Sequence, residues 1–166
     1  VTAEHNYGRF YSNEFEQVYR SLGVESETLR TSELYATGFF DGAIKLVLDR
    51  ADKVREAYEA VLTEHRSADR RKAAVAAKFP VNIRCEDCGK LATTEITTWD
   101  GALVTYRCRD GVANYVSGCG QEATVEPTGG RAKLPWKSEW AAKWWLFHPD
   151  IEGAGNRLPR HVRRPN

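Results

Sequence analysis

The chain has 166 residues, 42% apolar and 28% charged, which suits one packed domain or a domain with a small insert and excludes disorder throughout. Its 24 basic residues are balanced by 23 acidic ones, so charge gives no general argument for nucleic acid, DNA included, or for a membrane surface as a partner. No run of about 18 apolar residues is present to cross a bilayer, and the opening Val1-Thr-Ala-Glu-His5 lacks a basic-then-apolar leader, so a cytoplasmic location is expected.

The first 66 residues read as mainly helical. Ser12 or Asn13 is placed to cap a helix whose Phe15, Val18, Tyr19 and Leu22 recur along one face, and Gly23 stands where such a helix stops. Val24 to Leu29 alternates imperfectly and predicts a short strand. Asp41 is placed to cap a longer helix with the apolar face Ile44, Val47, Leu48, Ala51, Val54, Tyr58, Val61 and Leu62. Ser67 to Lys78 continues that helix or forms a short one, closed by Pro80. Within and beside it, Arg66, Arg70, Arg71 and Lys72 read either as a solvated helix end or as a phosphate contact.

The pattern changes at residue 81. Val81–Arg84, Thr93–Thr98, Val104–Arg107 and Ala123–Val125 predict short strands, with Asp100-Gly101 as a hairpin turn. All four cysteines lie here, spaced Cys85-x2-Cys88, then 19 residues to Cys108, then 10 to Cys119. Two thiolates from a tight turn and two from a neighbouring hairpin complete a tetrahedron, and the strands are too short to bury much apolar area without such a staple. Gly89, Gly118 and Gly120 let backbone N–H groups turn toward the sulfurs. A disulfide pair needs an oxidising compartment that nothing here indicates. A redox Cys-x-x-Cys needs a strand-to-helix setting, whereas strands flank this one. The spacing therefore predicts one structural zinc held by Cys85, Cys88, Cys108 and Cys119, with no ligand position left for an activated water.

From residue 127 helical spacing returns. Gly129-Gly130 leads into a segment where Trp136, Trp140 and Trp144 recur every four residues. Such a stripe ordinarily packs a core, and Glu139 with Lys143 ordinarily makes a solvated pair.

Several of these runs together resemble the class I lysyl-tRNA synthetases of the archaeal type. They are Val81-Asn-Ile-Arg-Cys-Glu-Asp-Cys-Gly-Lys90, Thr93-Thr94, Tyr106-Arg-Cys108, Gly118-Cys-Gly120 and Gly130-Arg-Ala-Lys-Leu-Pro-Trp-Lys-Ser-Glu-Trp-Ala-Ala-Lys-Trp144, with Ala3–Phe10 and Ser32–Tyr35 earlier. The resemblance spans residues 1–155. It implies an α/β fold: part of a Rossmann-like catalytic domain (1–80 and 127–155) split by a small β zinc ribbon (81–126). It also implies an enzyme that joins lysine to its tRNA with ATP, and a lysine pocket containing Trp136, with Glu139 and Trp140 beside it.

The departures are specific. None of His5, His65, His148 or His161 stands in a His-x-Gly-His-type motif, and a chain without methionine has no Lys-Met-Ser-Lys-Ser-type motif. After Gly153-Ala-Gly155 the family pattern stops, and residues 156–166 read as an atypical basic tail. The sequence thus reads as an interior piece of a synthetase, with unknown catalytic residues and no activity of its own. The alternative is a stand-alone zinc-ribbon module that binds RNA or protein.

Overall fold

The computed structural model describes residues 6–63, 78–113 and 115–153. Helix α1 (Tyr7–Ser21) is followed by α2 (Thr31–Ala36), α3 (Asp41–Asp49) and α4 (Ala51–Thr63). Five short strands come next: β1 (Asn82–Ile83), β2 (Thr94–Trp99), β3 (Val104–Cys108), β4 (Glu122–Val125) and β5 (Ala132–Lys133). Helix α5 (Trp136–Phe147) closes the described part. Two compact units divide within α2, one up to Glu33 and one from Leu34 on. Among the described residues no helix is long and apolar enough to cross a membrane.

In the first unit, α1 starts earlier than its apolar face alone suggests. Asn6, not Ser12 or Asn13, is the cap: its side chain accepts the Arg9 N–H at 2.9 Å, and its carbonyl accepts the Phe10 N–H at 3.0 Å. Gly23, at φ 77°, ends the helix as expected. Val24 to Leu29 forms no strand. The Val24 N–H turns back to the Tyr19 carbonyl at 3.0 Å, the Tyr19 hydroxyl lies 2.7 Å from Thr28 Oγ1, and no ladder partner exists for the segment among the described residues. No described side chain of this unit is buried, and Tyr7, Phe10, Tyr11 and Phe15 are exposed.

The second unit holds the core. The predicted long helix is broken at Arg50 (φ −115°, ψ 27°), yet its apolar stripe runs across the break: Ile44, Leu48 and Ala51 are buried, and Val54 and Tyr58 are half-buried. Asp41 does not cap it. It is the first helical residue, and its carboxylate oxygens accept the Gly129 N–H at 3.2 Å, tying the helix start to a distant loop. Residues 64–77 and 154–166, including the basic cluster and the tail, lie outside the described residues.

All strand pairs among the described residues are antiparallel: β1 with β5, and β2–β3–β4 in that order. The four strands expected after residue 80 lie within a residue or two of their places, with β1 cut to two residues. In central β3, Val104, Tyr106 and Cys108 point inward while Thr105 and Arg107 face out, the period-two alternation of a one-sided sheet. A bulge between Ile96 and Thr98 shifts β2 so that Trp99, not Thr98, pairs with Val104. Trp99 Nε1 then donates to Asp49 Oδ1 at 2.7 Å, joining the hairpin to α3. Asp100 closes that hairpin by accepting the N–H groups of Ala102 and Leu103, which also lowers its pKa. One continuous core links α3 with the strands through Phe40, Ile44, Leu48, Ile83, Val104 and Leu134. Each large aliphatic side chain buried there contributes about 1.5–3 kcal/mol.

Tyr35 fastens this core to α5. Its buried hydroxyl accepts the Leu134 N–H at 3.0 Å and donates to Glu139 Oε2 at 3.0 Å, while its ring stacks on Phe40 at 4.5 Å. Burial, reinforced by the Glu139 charge, pushes the phenol pKa up. Replacing Tyr35 with Phe keeps the ring and leaves a buried N–H without its acceptor. The expected loss is ~1–3 kcal/mol in urea unfolding; a change under 0.5 kcal/mol, roughly the scatter of neutral surface substitutions, would mean the bridge is not formed.

Candidate functional site

The four cysteines converge. Their sulfurs all lie within 4.8 Å of one another, with Cys85–Cys119 at 3.6 Å and Cys88–Cys108 at 3.7 Å. None is in a disulfide. A tetrahedron built on ~2.3 Å metal–sulfur bonds has edges of about 3.8 Å, so the set fits one thiophilic ion.

Local backbone explains the convergence. Between β1 and β2, the Gly89 N–H bonds back to the Cys85 carbonyl at 2.9 Å and the Cys85 N–H to the Lys90 carbonyl at 2.9 Å, with Gly89 at φ 70°. That tight knuckle brings Cys88 back over Cys85. The second knuckle joins the end of β3 to the start of β4. There the Cys108 N–H donates to the Gln121 carbonyl at 2.7 Å, and the Gly120 N–H to the Cys108 carbonyl at 3.0 Å.

The sulfurs are approached by donors. The Cys119 N–H points at Cys108 Sγ at 3.4 Å, and the Cys108 thiol in turn donates to Thr93 Oγ1 at 3.1 Å, a bond whose direction reverses once the sulfur is a metal-bound thiolate. At Cys85, burial works to raise the thiol pKa, but the N–H groups of Cys88 and Asp87 and the Cys119 thiol outweigh it and bring it down to about 7. The Cys119 thiol moves the other way, to about 12: the Gln121 N–H lowers it, but burial and its hydrogen bonds with Cys85, Asp87 and Cys108 outweigh that donor, so the two sulfurs share their proton loss unequally. Exposure falls from Cys119, which is exposed, through half-buried Cys88 to buried Cys85 and Cys108.

The aromatic stripe lies elsewhere, on α5. Trp136, Trp140 and Trp144 pack edge to face at 5.2 and 5.6 Å between successive rings. Trp136 is exposed, whereas Trp140 and Trp144 are half-buried, so the expected core stripe is only partly interior. Trp140 Nε1 donates to Glu152 Oε1 at 2.7 Å; Trp144 Nε1 is buried with no partner among the described residues. Glu139 is not a plain solvated residue. Besides Tyr35 it pairs with Lys143 at 3.0 Å and faces Lys133 at 4.0 Å, with its side chain only 14% exposed. Ser138 meets the Tyr58 hydroxyl at 3.1 Å, and Lys137 lies over the Tyr58 ring, which docks α5 on α4. His148 is exposed and holds the left-handed residue that ends α5, while His5, His65 and His161 fall outside the described residues.

Sequence reasoning missed Tyr35 and Thr93 as supports. Both stand inside runs that carry the family resemblance, but no spacing rule connects a residue to a partner about 100 positions away, as with Tyr35 and Glu139.

The thiol cluster and aromatic helix belong to a chain whose residues 1–160 match the family described as tRNA synthetases class I (K). The chain is therefore a member of the class I tRNA synthetase family of that type. It is 36% identical over 152 residues to a lysine–tRNA ligase of Methanocaldococcus jannaschii, covering 90% of this chain and 26% of that protein. A lysine–tRNA ligase of Methanococcus maripaludis is 34% identical over 81% of this chain and 22% of its own length. One from Haloarcula marismortui is 33% identical over 90% of this chain and 26% of its own. The chain thus spans about a quarter of the length of these curated relatives. The family match runs a few residues past Gly155, where the motif resemblance stops.

Proposed function

We propose that this chain supplies the lysine-recognition helix and a zinc-stapled connective insert to a lysine–tRNA ligase acting in the cytoplasm. The supporting observation is the 36% identity to the Methanocaldococcus jannaschii ligase. A match over nine-tenths of this chain necessarily includes both the thiol cluster and α5.

In this reading residues 1–80 and 127–155 belong to a Rossmann-like catalytic domain, residues 81–126 are the inserted ribbon, and 156–166 are a tail. Cys85, Cys88, Cys108 and Cys119 hold a zinc ion whose contribution is structural, because four thiolates complete its coordination. Trp136, Glu139 and Trp140 share one face of α5 at i, i+3 and i+4. The exposed Trp136 indole, packed edge to face on Trp140, lies along the aliphatic stem of the substrate lysine, and the Glu139 carboxylate draws its ammonium group, displacing Lys133, the more distant of its two lysine partners. In the complete reaction the lysine carboxylate attacks the ATP α-phosphate, pyrophosphate leaves, and the lysyl group passes from the adenylate to the terminal ribose of tRNA. The contribution of this chain is orientation of the amino acid, not covalent chemistry.

The test is a graft. The chain replaces the matching segment of the Methanocaldococcus jannaschii ligase, and lysine-dependent ATP–pyrophosphate exchange is measured. Exchange is expected, with KM for lysine rising about ten-fold in Trp136→Ala, the scale of one cation–π contact. The 166-residue chain alone, which carries neither ATP signature, is expected to give none. A folded, metal-loaded graft without exchange, or turnover by the chain alone, would refute the proposal.

A further inference from the structure

We infer that Thr93 is a positioning residue for the metal centre: its hydroxyl donates a hydrogen bond to the Cys108 thiolate and sets how strongly that sulfur gives charge to the ion. The inference rests on the reading of the four cysteines as a metal site. It concerns a residue that no ligand spacing marks.

Thr93 is fully buried, and its Oγ1 lies 3.1 Å from Cys108 Sγ. Between a hydroxyl and a metal-bound thiolate, only the hydroxyl has a proton to give, so the direction of the bond is fixed once the ion is in place. The backbone holds Thr93 there, since its carbonyl accepts the Arg109 N–H at 2.8 Å, directly beyond Cys108. Cys108 Sγ also receives the Cys119 N–H at 3.4 Å. This most buried sulfur therefore has two donors from different segments. Each draws electron density from the sulfur and fixes the lone pair it presents to the ion. Near Cys85, the fully buried Tyr106 hydroxyl accepts the Glu86 N–H at 2.9 Å and so braces the first knuckle.

Thr94 provides the control. It is nearly as buried, but its hydroxyl donates to the Ile83 carbonyl at 2.5 Å and not to a sulfur. A role that is merely structural would be disturbed in either residue; a role at the metal belongs to Thr93 alone.

The experiment loads the full chain with Co(II), whose sulfur-to-metal charge-transfer band reports thiolate electron density. Thr93→Val is expected to move that band to lower energy and to weaken Co(II) binding about 10-fold or more. Thr93→Ser should restore both, and Thr94→Val should leave the band where it is. Wild-type protein loaded with an NMR-active cadmium isotope gives a measurement free of substitution: the Thr93 hydroxyl proton should couple to the metal through the sulfur. An unmoved band in folded Thr93→Val, an equal shift in Thr94→Val, or absence of that coupling would overturn the inference while leaving the metal site standing. If the wild-type chain takes up no Co(II) with a four-thiolate spectrum, both the inference and the metal reading fall.

Discussion

Stripping the proposed metal from the four cysteines is expected to loosen the whole second unit, not the cysteine knuckles alone. Four thiolates that converge without an ion lose the interaction that offsets their crowding, and structural zinc in small sites contributes on the order of 10 kcal/mol of apparent binding free energy. The strands around the site have little else to hold them: β1 and β5 are two residues each, and β4 is four. Their buried residues belong to the same continuous core as Phe40, Ile44 and Leu48. Trp99 Nε1 to Asp49 and Gly129 N–H to Asp41 tie the sheet and the following loop to α3. Loss of the sheet therefore uncovers one face of that helix. Exhaustive chelation, checked by metal analysis, should lower Tm by more than about 10 °C and remove amide-exchange protection from β3 and α3 together. Cys88→Ser should do the same without chelator. If β3 stays protected in metal-free protein, the cluster is not what holds this unit.

How much of this was legible beforehand depended on the range over which each signal acts. The cysteine spacing, the apolar face from Ile44 to Tyr58 and the β2–β3 hairpin are local patterns, and all three stand where the sequence puts them. Val24 to Leu29 has strand-like composition but no partner strand among the described residues, and a strand exists only where another backbone accepts its ladder. Asp41 had the chemistry of a cap and was taken by the Gly129 N–H, a tertiary contact 88 residues away. β5, only Ala132-Lys133, is too short to carry a period and forms because Ile83 and Asn82 lie opposite it. Tyr35 is the clearest case. The sequence marks it as one aromatic among many, yet its hydroxyl joins the end of β5 to Glu139 on the proposed lysine-binding face.

Gly118→Ala should be the most damaging single glycine substitution near the cysteines, although its neighbours look more demanding. Gly89 and Gly120 have φ of 70° and 83°, which an L side chain adopts at a cost of roughly 1–2 kcal/mol. A Cβ at either would meet nothing within 4 Å, so that strain is the whole penalty. Gly118 is different. A Cβ there would stand 2.5 Å from the Arg109 carbonyl carbon and 2.6 Å from its Cα and N, all backbone atoms that cannot swing away. The two segments must separate, at an overpacking cost of about 1–3 kcal/mol. Separation also carries the adjoining Cys119 away from Cys108, to whose sulfur its N–H is bonded at 3.4 Å. Metal–sulfur distances tolerate only about 0.2 Å. Gly118→Ala is therefore expected to weaken Co(II) binding at least ten-fold and to destabilise the metal-loaded chain more than Gly120→Ala does. Equal or greater loss in Gly120→Ala, measured by competition with a chelator and by thermal unfolding, would show that backbone strain and not the close passage at Arg109 limits this site.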